Sequence, residues 1–116
     1  MDEWNEEDQV NKYIEDKAFL RIVVIDSEGR SRMYISNEAY RQMGEPEFVK
    51  ILTSKKQDVY RIKLVVCDKI QKNARPIRIV KSNIRLGGGP NMIKKHEMRF
   101  GYYVLGEDGI FTWKQT

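Results

Sequence analysis

The stretch GRSRMYISNEAYRQMGEPEFVKILTSKKQDVYRIKL, residues 29–64, carries the strongest local structural signals in the chain. A strand-like run is followed by Ser36, which suits a helix N-cap because its hydroxyl oxygen accepts a backbone N–H bond. Gly44 suits the left-handed backbone conformation that ends many helices. Beyond it, residues 48–53 and 59–67 alternate apolar and polar side chains, as half-buried strands do. The stretch therefore predicts a strand, a short helix and a hairpin in succession.

Further elements are predicted on both sides of this stretch. Apolar residues at helical spacing predict a helix over residues 2–17. Residues 18–26 are rich in isoleucine and valine and predict a strand, which pairs with residues 32–35 across a turn. The polar residues 68–75 form the best internal linker. A strand, a helix and a hairpin follow the linker, at residues 76–80, 90–100, 101–105 and 110–114.

A chain of 116 residues is most simply one domain with one small core. The predicted elements define an α+β fold, with a mixed or antiparallel sheet and short helices. Its parts are an acidic N-terminal arm, residues 1–17, and one basic domain, residues 18–116. The order strand–helix–hairpin occurs in residues 18–67 and again in residues 76–116, so a true duplication and a chance recurrence of a common unit are both open.

Charge is distributed unevenly along the chain. Residues 1–17 contain seven carboxylates and two lysines, a net charge of −5, whereas the whole chain carries +4. Residues 18–116 therefore carry +9. A basic body of this kind is typical of proteins that bind polyanions, and the acidic arm either shields that body or is a solvated tail.

Several classes of protein are disfavoured by the sequence. The longest apolar run is residues 22–25, and the acidic N-terminus does not look like a signal peptide, so we expect a soluble, cytoplasmic protein and no membrane partner. The only cysteine, Cys67, lies in an apolar strand and reads as a buried small hydrophobe. The only histidine, His96, has no second histidine or cysteine for zinc and no positioned serine. We expect no catalytic residues, no metal and no cofactor.

Part of the deciding stretch resembles the AbrB/MazE type of swapped-hairpin transcription regulator. Gly29-Arg30 match the family's Gly-Arg, residues 35–41 match its IPKELRR, residues 43–44 match its Leu-Gly, and residues 49–51 match the first strand of its second hairpin. Ser36 replaces the family's proline, the link to the second hairpin is shorter, and the chain exceeds the minimal domain. Small proteins of phages and mobile elements look similar.

The resemblance implies a non-enzymatic, dimeric DNA-binding regulator. It makes Arg30, Arg32 and Arg41 the candidate DNA contacts, because the planar fork of arginine donates two parallel hydrogen bonds to phosphates and guanine edges. A homodimer is also expected because the edges of several short strands need cover. Three solvated surface arginines are the alternative interpretation of the same residues.

A second basic cluster, Lys94, Lys95 and Arg99, follows the glycine-rich residues 86–91. Glycines before a helix can expose backbone N–H groups to an anion, and Arg78 extends the positive stretch. No Gly-Lys-Ser or Gly-Lys-Thr follows, so the loop is not a P-loop. A flexible loop without a ligand is the alternative.

Two other functions compete with the regulator. The first is a phage or mobile-element inhibitor, comparable to an anti-CRISPR protein, that binds a host nucleic-acid-handling or defence protein. Its acidic arm would imitate nucleic-acid phosphates, with contacts from Asp2, Glu3, Trp4, Glu6, Glu7 and Asp8. The second is a single-stranded nucleic-acid binder in which aromatic residues near the C-terminus stack on bases. Those aromatics, which close a small β core in the alternative interpretation, are Tyr102, Tyr103, Phe111 and Trp113.

Overall fold

Eight antiparallel strands and one short helix make up the computed structural model, which describes residues 17–87 and 91–114. In chain order the elements are β1 (Phe19–Val24), β2 (Ser31–Ile35), α1 (Asn37–Gln42), β3 (Phe48–Lys56), β4 (Val59–Val66), β5 (Arg75–Val80), β6 (Asn83–Leu86), β7 (Gly101–Leu105) and β8 (Phe111–Lys114). The strands close into a barrel in the order β1-β2-β6-β5-β3-β4-β8-β7, and β7 pairs back with β1. The helix predicted over residues 2–17 lies, except for Lys17, outside the described residues.

The barrel interior is filled by alternate residues of the strands. Side chains of a strand point alternately to its two faces, so β1 buries Leu20 and Ile22, and β2 buries Met33 and Ile35. Complete burial of a side chain such as Ile62 stabilises the fold by about 1.5–3 kcal/mol. The buried apolar residues are Leu20, Ile22, Met33, Ile35, Ala39, Val49, Tyr60, Ile62, Ile84, Leu86, Met92, Met98, Tyr103 and Phe111.

The helix α1 begins and ends where the sequence predicts. The Ser36 hydroxyl accepts the backbone N–H of Ala39 at 3.2 Å, which confirms the N-cap. The same hydroxyl also accepts the backbone N–H of Phe19 at 2.9 Å, so the cap ties α1 to the start of β1. Gly44 has φ +85° and ends the helix in the left-handed conformation that glycine adopts without strain.

The α+β fold class predicted from the sequence is wrong, because α1 is the only helix among the described residues. The predicted helix over 90–100 is absent from its described part, residues 91–100. Glu97 has φ +55°, and the backbone N–H of Met98 donates to the carbonyl oxygen of Met92 at 2.9 Å instead of to a helical partner. Met92 and Met98 are both buried. Their spacing in the sequence resembles one face of a helix, but both side chains enter the core from a turn.

One strand and one strand boundary also differ from the prediction. The sequence signals did not indicate β6, a four-residue strand that connects β2 to β5 through its two edges. The β3–β4 hairpin extends beyond the predicted residues 48–53, because a two-residue turn joins Lys56 to Val59. Gln57 and Asp58 both have positive φ, as the tight turns that follow the twist of a hairpin require.

The strand order is the same for the two halves of the chain. Exchanging β1–β4 with β5–β8 leaves every pair of neighbouring strands in the barrel unchanged. Each half consists of two hairpins, joined by α1 in the first half and by residues 87–100 in the second. The halves meet at four strand pairs: β1 with β7, β2 with β6, β3 with β5 and β4 with β8.

Closure of the barrel changes the argument for a homodimer. Every strand has a neighbour on both sides, but β3 pairs with β5 only at Phe48 and Val49, whereas it pairs with β4 as far as Lys56. Within the described residues, open strand edges lie in the β3–β4 hairpin beyond Val49, along β5 beyond Pro76 and at the start of β2. The homodimer stays a prediction, and its motivation from exposed edges applies to these segments.

Candidate nucleic-acid interface

The wall of the barrel carries positive charge only. None of the eight described strands contains an aspartate or a glutamate, and the carboxylates of the described residues lie in turns, loops and α1. Most of these cations lie on the outer faces of their strands, which contain no carboxylate of their own, and Lys55 Nζ lies 3.4 Å from a Glu97 carboxylate oxygen in a loop, so the wall is largely a surface of one sign. The lysines and arginines of the strands are Arg21, Arg32, Lys50, Lys55, Lys56, Arg61, Lys63, Arg75, Arg78, Arg85 and Lys114.

One row of paired residues combines these cations with aromatic rings. Residues that pair directly in antiparallel strands lie on the same side of the sheet. The pairs connect six strands in succession, and the chain neighbours of the row residues, such as Leu20 and Ile84, are buried, so the row faces outward. Strand spacing of about 4.8 Å gives the row an arc of roughly 24 Å around the curved wall of the barrel. We call it the outer row, and its members in spatial order are Lys114, Tyr102, Arg21, Tyr34, Arg85 and Arg78.

Contacts within and beside the outer row hold the rings in place. The guanidinium carbon of Arg21 lies 5.2 Å from the ring centroid of Tyr102, within the range of a cation–π contact. Phe19 meets the same ring edge-on, with centroids 5.1 Å apart. Arg32 Nη1 donates to the Tyr34 hydroxyl at 3.4 Å. Both tyrosines are half-buried, so each keeps part of its ring accessible while its orientation is fixed.

A concavity of about 840 Å³ lies beside the middle of the outer row. Its volume falls in the range of small-molecule sites in proteins. Its wall contains two tyrosines, one arginine and several short polar side chains, and no carboxylate. The residues that line it are Phe19, Arg21, Val23, Tyr34, Ile35, Ser36, Asn37, Ser82, Asn83, Ile84 and Tyr102.

The structure separates the three arginines that the AbrB-like resemblance singles out. Arg32 lies on the outer wall and contacts the outer row through Tyr34. Arg30 lies in the turn after β1, where its guanidinium forms an ion pair with Asp26. Arg41 lies on α1, and its Nη1 is 3.3 Å from the Glu38 carboxylate. Two of the three cations are thus already paired with carboxylates of their own chain.

The ion pair with Arg30 changes the pKa of the Asp26 carboxyl group. Desolvation is the largest single influence and raises the pKa of Asp26, but the hydrogen bonds from the Arg30 side chain and from the backbone N–H groups of Arg30 and Glu28, with the charge of Arg30, together outweigh it. The pKa of Asp26 is therefore lower than its ordinary value. A carboxylate held in its charged form in this way keeps the positive charge of Arg30 partly neutralised.

The second predicted basic cluster is divided between the outer row, a turn and the end of the barrel. Arg78 belongs to the outer row. Its side chain lies close against Gly87, since a Cβ atom on that glycine would be only 2.6 Å from the Arg78 Nε. Lys94 and Lys95 are exposed in a turn. Arg99 lies over the end of the barrel, with its guanidinium carbon 5.3 Å from the ring centroids of both Tyr60 and Trp113.

The aromatic residues near the C-terminus have different roles. Tyr103 and Phe111 are core residues. The Tyr103 hydroxyl donates to the carbonyl oxygen of Arg99 at 2.7 Å, and burial raises the pKa of Tyr103 to about 12. Trp113 Nε1 donates to the carbonyl oxygen of Phe100 at 3.0 Å. Only Tyr102 of the four predicted stacking residues faces outward in the outer row.

Other predicted features contribute no further site. The acidic contact set Asp2, Glu3, Trp4, Glu6, Glu7 and Asp8 lies outside the described residues. Cys67 is half-buried rather than buried, and His96 is exposed. Within residues 17–87 and 91–114, no three His, Cys, Asp or Glu side chains are grouped so that they could hold a metal ion. In the same part of the chain, no helix has the length and apolar character needed to cross a membrane.

Comparison with known proteins adds no relative: the chain matches no protein-family model, no curated protein and no solved structure. The interface is therefore argued from geometry and charge alone. The sequence-based prediction included Arg32 and placed Arg78 and Arg85 in one positive stretch, but it did not combine these residues with Arg21 and Tyr34. The available signal was a cation or tyrosine at an outward position of each strand; the missing information was which strands are neighbours.

Proposed function

We propose that the protein is a non-enzymatic DNA-binding protein, in the class of the regulators that residues 29–64 resemble, and that it binds through the outer wall of the barrel. The observation that carries the proposal is the outer row, a continuous line of cations and tyrosines, together with the lack of carboxylates on the eight strands of the described residues. The wall presents the same sign of charge over six adjacent strands. That arrangement fits a long polyanion better than a small acidic ligand.

The physical driving force is the release of counterions from DNA. Each phosphate that a lysine or arginine neutralises frees close to one condensed cation, so affinity falls steeply with salt. The outer row supplies four such cations, Arg21, Arg78, Arg85 and Lys114. Contacts to all four give an expected slope of log K against log salt of about −3 to −4.

The topology supports the resemblance to swapped-hairpin regulators. The two halves of the chain interleave their hairpins, and the β1–β2 and β5–β6 hairpins adjoin where β2 pairs with β6. Tyr34 and Arg85 pair at this junction, and Arg21 and Arg78 flank them on the two sides. The outer row therefore crosses between the two halves of the chain at this junction, and again where Arg21 on β1 pairs with Tyr102 on β7.

Fluorescence anisotropy with a labelled 24-nucleotide DNA, offered as a single strand and as a duplex, tests this function. We expect the wild-type chain to bind at least one form at low salt, with the negative slope given above. The variant Arg21→Glu/Arg85→Glu is expected to bind at least about ten-fold more weakly, because two phosphate contacts become repulsive. The matched control, Lys94→Glu/Lys95→Glu, changes the net charge equally but leaves the outer row intact.

The control variant is expected to retain most of the wild-type affinity. Binding of neither DNA form at low salt would overturn the proposed function. Equal weakening of the two double variants would show that binding depends on net charge and that the outer row is not a dedicated interface.

A further inference from the structure

We infer that the concavity beside the outer row is a binding site for single-stranded nucleic acid, in which unpaired bases stack on Tyr34 and Tyr102. The inference rests on the proposed DNA-binding function and specifies the form of nucleic acid that the site takes. Arg21 on β1 lies between the two tyrosines, because it pairs with Tyr34 on β2 and with Tyr102 on β7. The site therefore alternates ring, cation and ring across three adjacent strands.

The exposed rings favour unpaired bases over a duplex. In a duplex, each base stacks on its neighbours, so its faces are not available to a protein side chain. Unpaired bases can be splayed out and stacked on aromatic side chains. Tyr34 and Tyr102 lie two strand spacings apart, roughly 10 Å, which allows one short oligonucleotide to reach both rings.

The positive charges of the site match the phosphate backbone of a single-stranded nucleic acid. Arg21 is exposed beside Tyr102, and Arg85 pairs with Tyr34 on the next strand of the row. A groove whose cations follow a backbone while rings take the bases is the common design of single-strand binders without sequence preference. No carboxylate lines the concavity, so nothing in its described wall repels a phosphate.

Polar side chains at the rim can contact base edges. Asn37 at the start of α1, and Ser82 and Asn83 near the tip of the β5–β6 hairpin, line the concavity. A side-chain amide offers both donors and an acceptor, which suits any of the bases. A volume of about 840 Å³ gives a base and its sugar room between these side chains and the rings.

The other aromatic–cation cluster does not offer such a site. At the barrel end, Arg99 covers the rings of Tyr60 and Trp113 at 5.3 Å from each centroid. Tyr60 is buried, and Trp113 meets it edge-on with centroids 5.9 Å apart. Tyr34 and Tyr102 are half-buried and both line the concavity, whereas the Tyr60 ring belongs to the core, so the concavity is the better stacking site among the described residues.

The test uses a fluorescein-labelled 15-nucleotide oligodeoxythymidine and, for comparison, its duplex with oligodeoxyadenosine. We expect the full chain to bind the single strand at least about ten-fold more tightly than the duplex at equal salt, since stacking on one ring is worth about 1–3 kcal/mol. The variant Tyr34→Leu/Tyr102→Leu keeps apolar bulk on the strands but removes both rings. It is expected to lose about ten-fold or more in single-strand affinity and little in duplex affinity.

The variant Tyr34→Phe/Tyr102→Phe is the matched control, because it retains both rings without their hydroxyls and is expected to bind the single strand almost as well as the wild type. Circular dichroism checks that each variant folds, and Tyr102→Leu alone replaces the double variant where that does not fold. Duplex binding as tight as single-strand binding, unchanged by the leucine substitutions, would overturn this inference and leave the proposed function standing. Binding of neither probe would overturn both.

Discussion

Arginine contacts aromatic rings at two places in the barrel, the outer row and the barrel end, and the two contacts differ in what lies behind the ring. On the outer wall, Arg21 lies 5.2 Å from the ring of Tyr102, and both side chains point away from the core. At the barrel end, Arg99 lies 5.3 Å from the ring of Trp113, which packs against the buried Tyr60. The first contact leaves a surface for a ligand, whereas the second completes the core.

The difference follows from the parity of positions along a strand. Tyr102 and Tyr103 are adjacent in β7, yet Tyr103 is fully buried and Tyr102 faces outward, because successive side chains point to opposite faces. Composition treats the two tyrosines alike. Only the face on which a ring lies decides whether a cation beside it belongs to an interface.

The largest expected effect distinguishes the two regions by stability. Trp113→Ala removes a ring packed on the core and its 3.0 Å hydrogen bond to Phe100, so it should lower the free energy of unfolding by about 3 kcal/mol. Urea denaturation measures this change. DNA affinity, measured without urea at a low temperature where the variant is folded, should stay close to that of the wild type. A Trp113→Ala variant of normal stability that fails to bind DNA would place the interface at the barrel end instead.

The next effect concerns the salt dependence of binding. Arg85→Gln removes one cation from the outer row, and the slope of log K against log salt should become less negative by about 0.7–0.9. Lys55→Gln provides the comparison at the barrel end, where Lys55 Nζ lies 3.4 Å from a Glu97 carboxylate oxygen. That substitution should leave the slope almost unchanged. A larger change from Lys55→Gln than from Arg85→Gln would reverse the assignment of the two regions.

The acidic arm tests whether the outer row is shielded. Residues 1–17 carry −5 and lead directly into β1, which holds Arg21 of the outer row. Deleting residues 2–16 removes a competing polyanion and should raise affinity for DNA or heparin several-fold at low salt. Heparin chromatography of the full and truncated chains measures the effect. Unchanged retention would contradict shielding, and loss of binding to a host protein after truncation would favour the inhibitor function.

The smallest effect is expected from the paired arginines. Arg30→Gln/Arg41→Gln removes two cations that the AbrB-like resemblance predicts as DNA contacts, but both are in ion pairs with Asp26 and Glu38. Affinity should fall by no more than about two-fold, because the Asp26 and Glu38 carboxylates already partly neutralise these two cations and the outer row stays intact. Arg32→Gln, next to Tyr34, should weaken binding more. Anisotropy titrations that rank the double variant as the most damaging would restore the turn and helix as the main interface.

Local signals in the sequence were sufficient for much of the first half of the fold. The Ser36 cap, the Gly44 helix end and the hairpin of β3 and β4 are decided by residues close in the chain, and each is present in the structure. The short strand β6 has no long apolar run to reveal it. Methionines at 92 and 98 imitate helical spacing, although they reach the core from a turn.

The interface needed information that no local pattern contains. Arg21, Tyr34 and Arg85 belong to three strands, and they form one row only because β2 pairs with both β1 and β6 in a particular register. Alternation predicts that each of them faces away from the core, but it does not predict which strands are neighbours. The closed barrel determines which strands are neighbours. The predicted α+β fold did not specify that order.

Amide chemical-shift mapping tests the central claim, that the outer row is the nucleic-acid interface, most directly. A short DNA oligonucleotide is titrated into the isotope-labelled full chain, and the shift of each backbone amide is followed by NMR. The claim predicts that the largest changes cluster on β1, β2, β6 and β7, around Arg21, Tyr34, Arg85 and Tyr102. Changes confined to the barrel end around Lys55 and Arg99, with β1 and β2 unaffected, would contradict it.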